Sequence, residues 1–195
     1  KLHWKNPAGD TIRELRFHLY WNAFANTGTT FLDSGGGIAT LPVANPGEVI
    51  WGWNTIDKMT DPAGNDLTQR MEFIAPDDGN ELDQTVLRVP LVEPILPYDS
   101  TTIAIDFTNK IPKIIARTGY TRDYYFMVHW FPKIGVYEPA GMRYSDGAWN
   151  CHQFHPETEF YADFGVYNVD ITVPQRFVVG ASGVEVARKS DDSTT

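Results

Sequence analysis

Apolar and polar residues alternate one by one along much of this chain, and a period of two suits a pleated strand rather than a helix. In residues 13–21, Leu15, Phe17, Leu19 and Trp21 share one side, while Glu14, Arg16, His18 and Tyr20 share the other. Residues 101–108 repeat the pattern, with Ile103, Ile105 and Phe107 opposed to Thr102, Ala104 and Asp106. Residues 67–74 place Leu67, Gln69, Met71 and Phe73 on one side, and 159–173 end on alternating Val169, Ile171 and Val173. Shorter strand-like stretches occupy 49–56, 85–91, 177–180 and 184–187. Residues 123–131 are nearly all aromatic or apolar, as in a strand covered on both faces.

Turn-forming clusters separate these stretches. Asp61-Pro62-Ala63-Gly64-Asn65 predicts a hairpin joining 49–56 to 67–74, and Pro76-Asp77-Asp78-Gly79-Asn80 predicts a second turn. Pro90, Pro94 and Pro97 predict a connection or an edge, where no ladder donor is needed. Residues 26–34 read as a short helix stopped by Gly35, Gly36 and Gly37. That triplet lacks the Lys-Ser/Thr of a phosphate loop, and residues 139–149 read as a loop. The aromatic share of 13% favours strands as well. No fixed-period repeat is present, which excludes propellers and solenoids. The predicted fold is all-β with little helix: an antiparallel β-sandwich, with residues 1–187 as one domain and 188–195 as a frayed tail.

Twenty-five acidic residues against sixteen basic ones leave a net charge of −9. Such a surface repels polyanions and anionic lipid, and no Lys/Arg cluster offsets it, so no nucleic-acid partner is expected. No apolar run reaches the ~18 residues of a transmembrane helix, so no membrane span is expected. A single cysteine, Cys151, precludes an internal disulfide. The chain opens at Lys1 with neither an initiator Met nor a signal-like apolar region, and reads as a processed product or an excised piece.

Cys151-His152-Gln153-Phe154-His155, followed by Glu157 and Glu159, gathers ligand types that zinc takes. In a strand, however, His152 and His155 point to opposite faces, and Pro156 opposes the helix that would align them. The alternative is a loop whose histidines bond to backbone. Of the five histidines, His3, His18, His129, His152 and His155, none precedes a Glu as in H-E-x-x-H, and no G-x-S-x-G elbow occurs. No catalytic residue and no metal site are assigned to the chain.

Three segments remain: Phe17-His18-Leu19-Tyr20-Trp21-Asn22-Ala23-Phe24, His129-Trp130-Phe131-Pro132-Lys133-Ile134-Gly135-Val136-Tyr137-Glu138, and residues 159–174 ending in Val173-Pro174. In this order they resemble the N-terminal domain of the aminopeptidase N-like zinc metallopeptidases, the membrane alanyl aminopeptidase family, over residues 10–187. Leu19–Phe24 is similar to a bacterial branch, Trp130-Phe131-Pro132 to the family's aromatic-proline turn, and Val178-Val179-Gly180-Ala181-Ser182-Gly183 to the strand end that follows.

The resemblance implies a saddle-like β-sandwich beside a thermolysin-like catalytic domain of the same parent chain. That neighbour would carry H-E-x-x-H, the zinc and the G-x-M-E-N strand, and the parent would act on peptide substrates. The family's residues just before the aromatic-proline turn, commonly Gln or Glu, line the pocket for the substrate's amino group. Here Met127, Val128 and His129 stand in that place, and His129 is the polar candidate. A core-edge histidine bonded to backbone is the other reading of His129.

Two functions follow. One is a cleft-forming accessory domain of a zinc peptidase, inactive alone, which buries Trp130 and Phe131. The other is a free-standing binding sandwich for carbohydrate or protein, which displays a planar row of aromatics.

Overall fold

The computed structural model describes residues 1–35, 48–113, 115 and 117–190. It is mostly β, with several antiparallel sheets and one short helix. Contacts divide it into two units, Lys1–Asp163 and Phe164–Thr195.

Among the described residues, the first unit holds every strand. One sheet has β1 (Leu2–Lys5), β6 (Ser100–Lys110) and β3 (Trp53–Thr60) in that order. A second has β4 (Glu72–Ile74), β5 (Val86–Ile95), β2 (Ile12–His18) and β9 (Lys133–Ile134). Two ribbons complete it: β7 (Gly119–Thr121) with β8 (Tyr124–Phe126), and β10 (Val136–Glu138) with β11 (Ala148–Asn150). The two larger sheets bury apolar residues in one core. Trp4, Ile56, Met59 and Ile103 come from the first sheet, and Leu15, Phe17, Leu87 and Val89 from the second. Alternation in β2 and β6 is what supplies these inward positions.

The strand expected over 13–21 ends at His18. Leu19 still donates to the Thr85 carbonyl at 2.8 Å, and Tyr20–Phe24 then forms a 3-10 turn. Every side chain of that turn is buried, so apolar spacing that looked like one strand face serves a turn wrapped by core. Asn22 holds it, donating to the Gln84 carbonyl at 2.9 Å and accepting from the Asn54 amide at 2.7 Å. Trp21 Nε1 donates to the Val128 carbonyl at 2.8 Å.

Asp61–Asn65 does turn, with the Gly64 amide on the Asp61 carbonyl at 3.1 Å. The hairpin expected across it does not form: β3 pairs with β6, β4 pairs with β5, and only the bridge Thr60–Asp66 spans the turn. Thr68–Arg70 instead makes a 3-10 turn that carries the chain from one sheet to the other. Pro90 lies within β5, opposite Glu14 and past the end of β4, whose pairing stops at Arg88. Beyond β4 the Pro90 carbonyl accepts from Arg70 Nε at 2.9 Å rather than from a strand, so no ladder donor is required of the proline there.

Thr30–Asp33 is a short helix, labelled α1, followed by Gly35 at φ 86°. Gly36 and Gly37 lie outside the described residues. Residues 123–131 are not a strand covered on both faces: β8 is three residues long and exposed. Between 151 and 190 the described residues contain no strand, against the strands expected at 159–173, 177–180 and 184–187. A strand needs a ladder partner as well as a pattern. Within the second unit, taken by itself, Val166 is 94% exposed and Val186 likewise 94%.

Candidate functional site

The residues that could act on a ligand gather in the first unit around a cavity of about 440 Å³. Its walls come from the end of β2, the turn at Asp77, the end of β11 and residues 151–161. Residues 151–156 are irregular, which lets successive side chains turn inward where a strand would alternate them.

Asp77 organises one wall. Its Oδ1 accepts from His152 Nδ1 at 2.5 Å, and its Oδ2 accepts from His155 Nε2 at 2.8 Å and from the Gln153 amide at 2.8 Å. Its own amide donates to Gln153 Oε1 at 3.1 Å. Burial alone would raise this carboxyl, but the imidazoles and the Gln153 amide outweigh it and hold it below the ordinary carboxylate range. Gln153 Nε2 reaches Asp78 Oδ1 and Thr30 Oγ1, each at 2.8 Å, and so ties the wall to α1.

A second wall is built on His18, only 2% exposed and stacked on Tyr20 with centroids 4.7 Å apart. His18 Nε2 lies 3.4 Å from Cys151 Sγ. Burial pushes the thiol up to about 12 and pushes His18 down to about 4, so both are neutral near pH 7. A buried, protonated thiol is a poor nucleophile. His18 Nδ1 has no hydrogen-bond partner.

Glu138 backs the third wall at 4% exposure. Its Oε1 accepts from Asn150 Nδ2 at 2.8 Å and from the Tyr161 hydroxyl at 2.9 Å. Its Oε2 has no hydrogen bond, although Arg143 Nε stands 3.5 Å away as a charge partner. The Asn150 amide lowers the Glu138 carboxyl, so it stays ionised.

Comparison with protein-family models, curated proteins and solved structures returned no match.

His152 and His155 do converge, contrary to the opposite-face expectation, but on Asp77 rather than on a shared cation. Cys151 faces His18 instead. Among the described residues no group of three His, Cys, Asp or Glu side chains can hold a metal ion. Glu157 is exposed, in left-handed backbone at φ 60°. Glu159 sits at the cavity rim, 3.1 Å from Arg117 Nη1.

His129 stands outside the cavity lining and touches it through Tyr20, edge-on at 5.4 Å. Its ring packs on Phe160 at 3.9 Å, and its Nδ1 lies 3.4 Å from Lys133 Nζ rather than on backbone. Burial, then the Lys133 charge, lowers it to about 4. Trp130 and Phe131 are half-buried, and Trp130 packs 5.9 Å from Phe107.

Sequence reasoning missed Asp77, Glu138 and His18 as site residues. Asp77 read as turn chemistry, and His18 as the polar side of a strand. Glu138 carried no local signal at all.

Proposed function

We propose that this chain is a cleft-forming accessory domain of a zinc aminopeptidase-like parent and carries no catalysis alone. One observation carries the reading. Tyr20, His129 and Phe160, one from each segment of the family resemblance, meet in a single cluster: Tyr20–Phe160 4.6 Å, His129–Phe160 3.9 Å and Tyr20–His129 5.4 Å. The two sheets that share a core suit the saddle-like sandwich the resemblance implies.

In this reading His129 lines the pocket for the substrate's amino group. Lys133 engages its Nδ1, which leaves Nε2 as its free polar atom. Zinc belongs to the catalytic neighbour, where it would polarise the scissile carbonyl. The exposed apolar side chains of the second unit, Val166, Val178, Val184 and Val186 among them, support the presence of such a neighbour, since a surface of this kind is ordinarily covered.

The test is expression of the whole reading frame that contains this chain, assayed for release of N-terminal residues from peptides. Chelator-sensitive release is expected from the whole frame and none from residues 1–195 alone. His129→Ala should raise KM several-fold, roughly what one lost polar contact is worth, and leave kcat nearly unchanged. A frame without H-E-x-x-H and without peptide release ends the proposal.

A further inference from the structure

We propose that residues 168–173 of one copy of this chain add as a strand to the open edge of β1 in a second copy. The inference goes beyond the peptidase reading and does not depend on it.

The edge is defined by its hydrogen bonds. Among the described residues β1 has β6 as its one ladder neighbour. The Asn6 amide donates to the Asp99 carbonyl at 2.8 Å, and ladder bonds alternate along an antiparallel pair. In β1 the backbone groups of Leu2 and Trp4 therefore turn to β6, and those of His3 and Lys5 turn to the open edge. The side chains alternate as well: Leu2 and Trp4 pack on the core, while His3 and Lys5 are exposed. The result is a template with an apolar inner face and a basic outer one, the kind that an extended segment completes by strand addition.

Residues 168–173 are the complement. Their backbone makes no hydrogen bond with described residues, and Val169, Ile171 and Val173 are all exposed. Antiparallel pairing that sets Asp170 opposite His3 also sets Val169 opposite Trp4 and Ile171 opposite Leu2. The apolar residues of the added strand then extend the core face, and Asn168, Asp170 and Thr172 fall outside. Asp170 lies diagonal to both Lys1 and Lys5, within reach of long side chains.

Charge selects this contact over its competitors. Two β1 edges side by side would set Lys1, His3 and Lys5 against their own copies. Two antiparallel 168–173 segments would bring Asp170 opposite or diagonal to itself. The β3 edge is interrupted by a bulge at Asp57, an exposed acid that repels Asp170. β4 and β9 are only three and two residues long. In its own chain the segment has no ladder partner among the described residues, so the edge that receives it is another copy's. Each copy carries both edge and strand, and reciprocal exchange closes a dimer.

The experiment uses the 195-residue chain in two singly substituted forms, His3→Cys and Asp170→Cys, both at exposed positions where folding is not at stake. One form is ¹⁵N-labelled, and the two are mixed and oxidised. Directly opposed ladder residues have Cα atoms about 5.5 Å apart, inside the disulfide range, and the buried Cys151 does not compete. Mass spectrometry should find the mixed disulfide well above either homodimer. By sedimentation, Asp170→Lys should weaken the dimer about fivefold or more, and Lys1→Glu with Lys5→Glu in the same chain should restore it. A strictly monomeric chain, a mixed disulfide no more abundant than the homodimers, a double variant that closes its disulfide within one chain, or a dimer indifferent to Asp170→Lys would each overturn the proposal.

Discussion

His18 shows how one side chain can carry a consequence for the whole chain. It lies on the polar side of β2 in the sequence pattern, yet Tyr20 stacks on its ring and Cys151 meets its Nε2, and burial lowers its pKa from 6.5 to about 4. As pH falls below 6.5 the unfolded chain takes up a proton that the folded chain refuses, so acid favours unfolding. This contribution to stability is intact above 6.5, declines through the interval and is fully lost by about pH 4. The shift corresponds to about 3 kcal/mol at roughly 1.4 kcal/mol per unit. Thermal unfolding midpoints should therefore drop from neutral to mildly acidic pH. His18→Gln, which keeps an acceptor for Cys151, should flatten that drop; an unchanged slope would show that His18 is not the titrating group. The buried carboxylate Glu138 was no more legible from the sequence. Nothing around Tyr137-Glu138-Pro139 marks it, because its partners Asn150 and Tyr161 are brought to it by β10–β11 pairing and by the path of the later chain.

At the scale of elements, alternation located β2 and β6, because each lies in a sheet with a core on one face, whereas β5 runs on to Ile95 through Pro90 and Pro94, past the end expected at 91. The one pairing expected, 49–56 with 67–74, did not form. The turn at 61–65 was legible from its residues, but whether the strands around it pair depends on which sheet each can join. Leu67 goes fully into the core, and the 3-10 turn that follows sends the chain across to β5. Some pairing rests on a single small residue. In the loop before β11, a Cβ on Gly147 would lie 2.4 Å from the Tyr137 hydroxyl and 2.2 Å from Asp10 Oδ2. Those two atoms hydrogen-bond to each other at 3.2 Å. Gly147→Ala should therefore destabilise the fold by about 1–3 kcal/mol through overpacking. Gly180→Ala, where the added carbon meets nothing, should stay within about 0.5 kcal/mol. Equal denaturation midpoints for the two variants would refute this account of the ribbon.

At the scale of the whole molecule, the two units differ in what they bury. The first has two apolar clusters, one between the larger sheets and one around Tyr20, Trp21, Phe31 and Phe154. The second, by itself, leaves Phe164, Val166, Val178, Val184 and Val186 almost wholly exposed. Apolar surface of this kind associates in water, so the apparent mass by light scattering should rise with concentration; a strictly monomeric chain across the range would contradict it. The amino-acid sequence alone determined the strand-forming character, the turns and the excess of negative charge, since each is a property of neighbouring residues. Tertiary structure alone decided which strands pair, which polar residues are buried and which groups form the cavity. Those outcomes depend on residues far apart in the chain, such as His152 with Asp77, 75 positions away, and Cys151 with His18, 133 away. The alternation of Val169, Ile171 and Val173 shows the limit: local sequence can equip a segment for a sheet, but a ladder forms only where a second strand meets it.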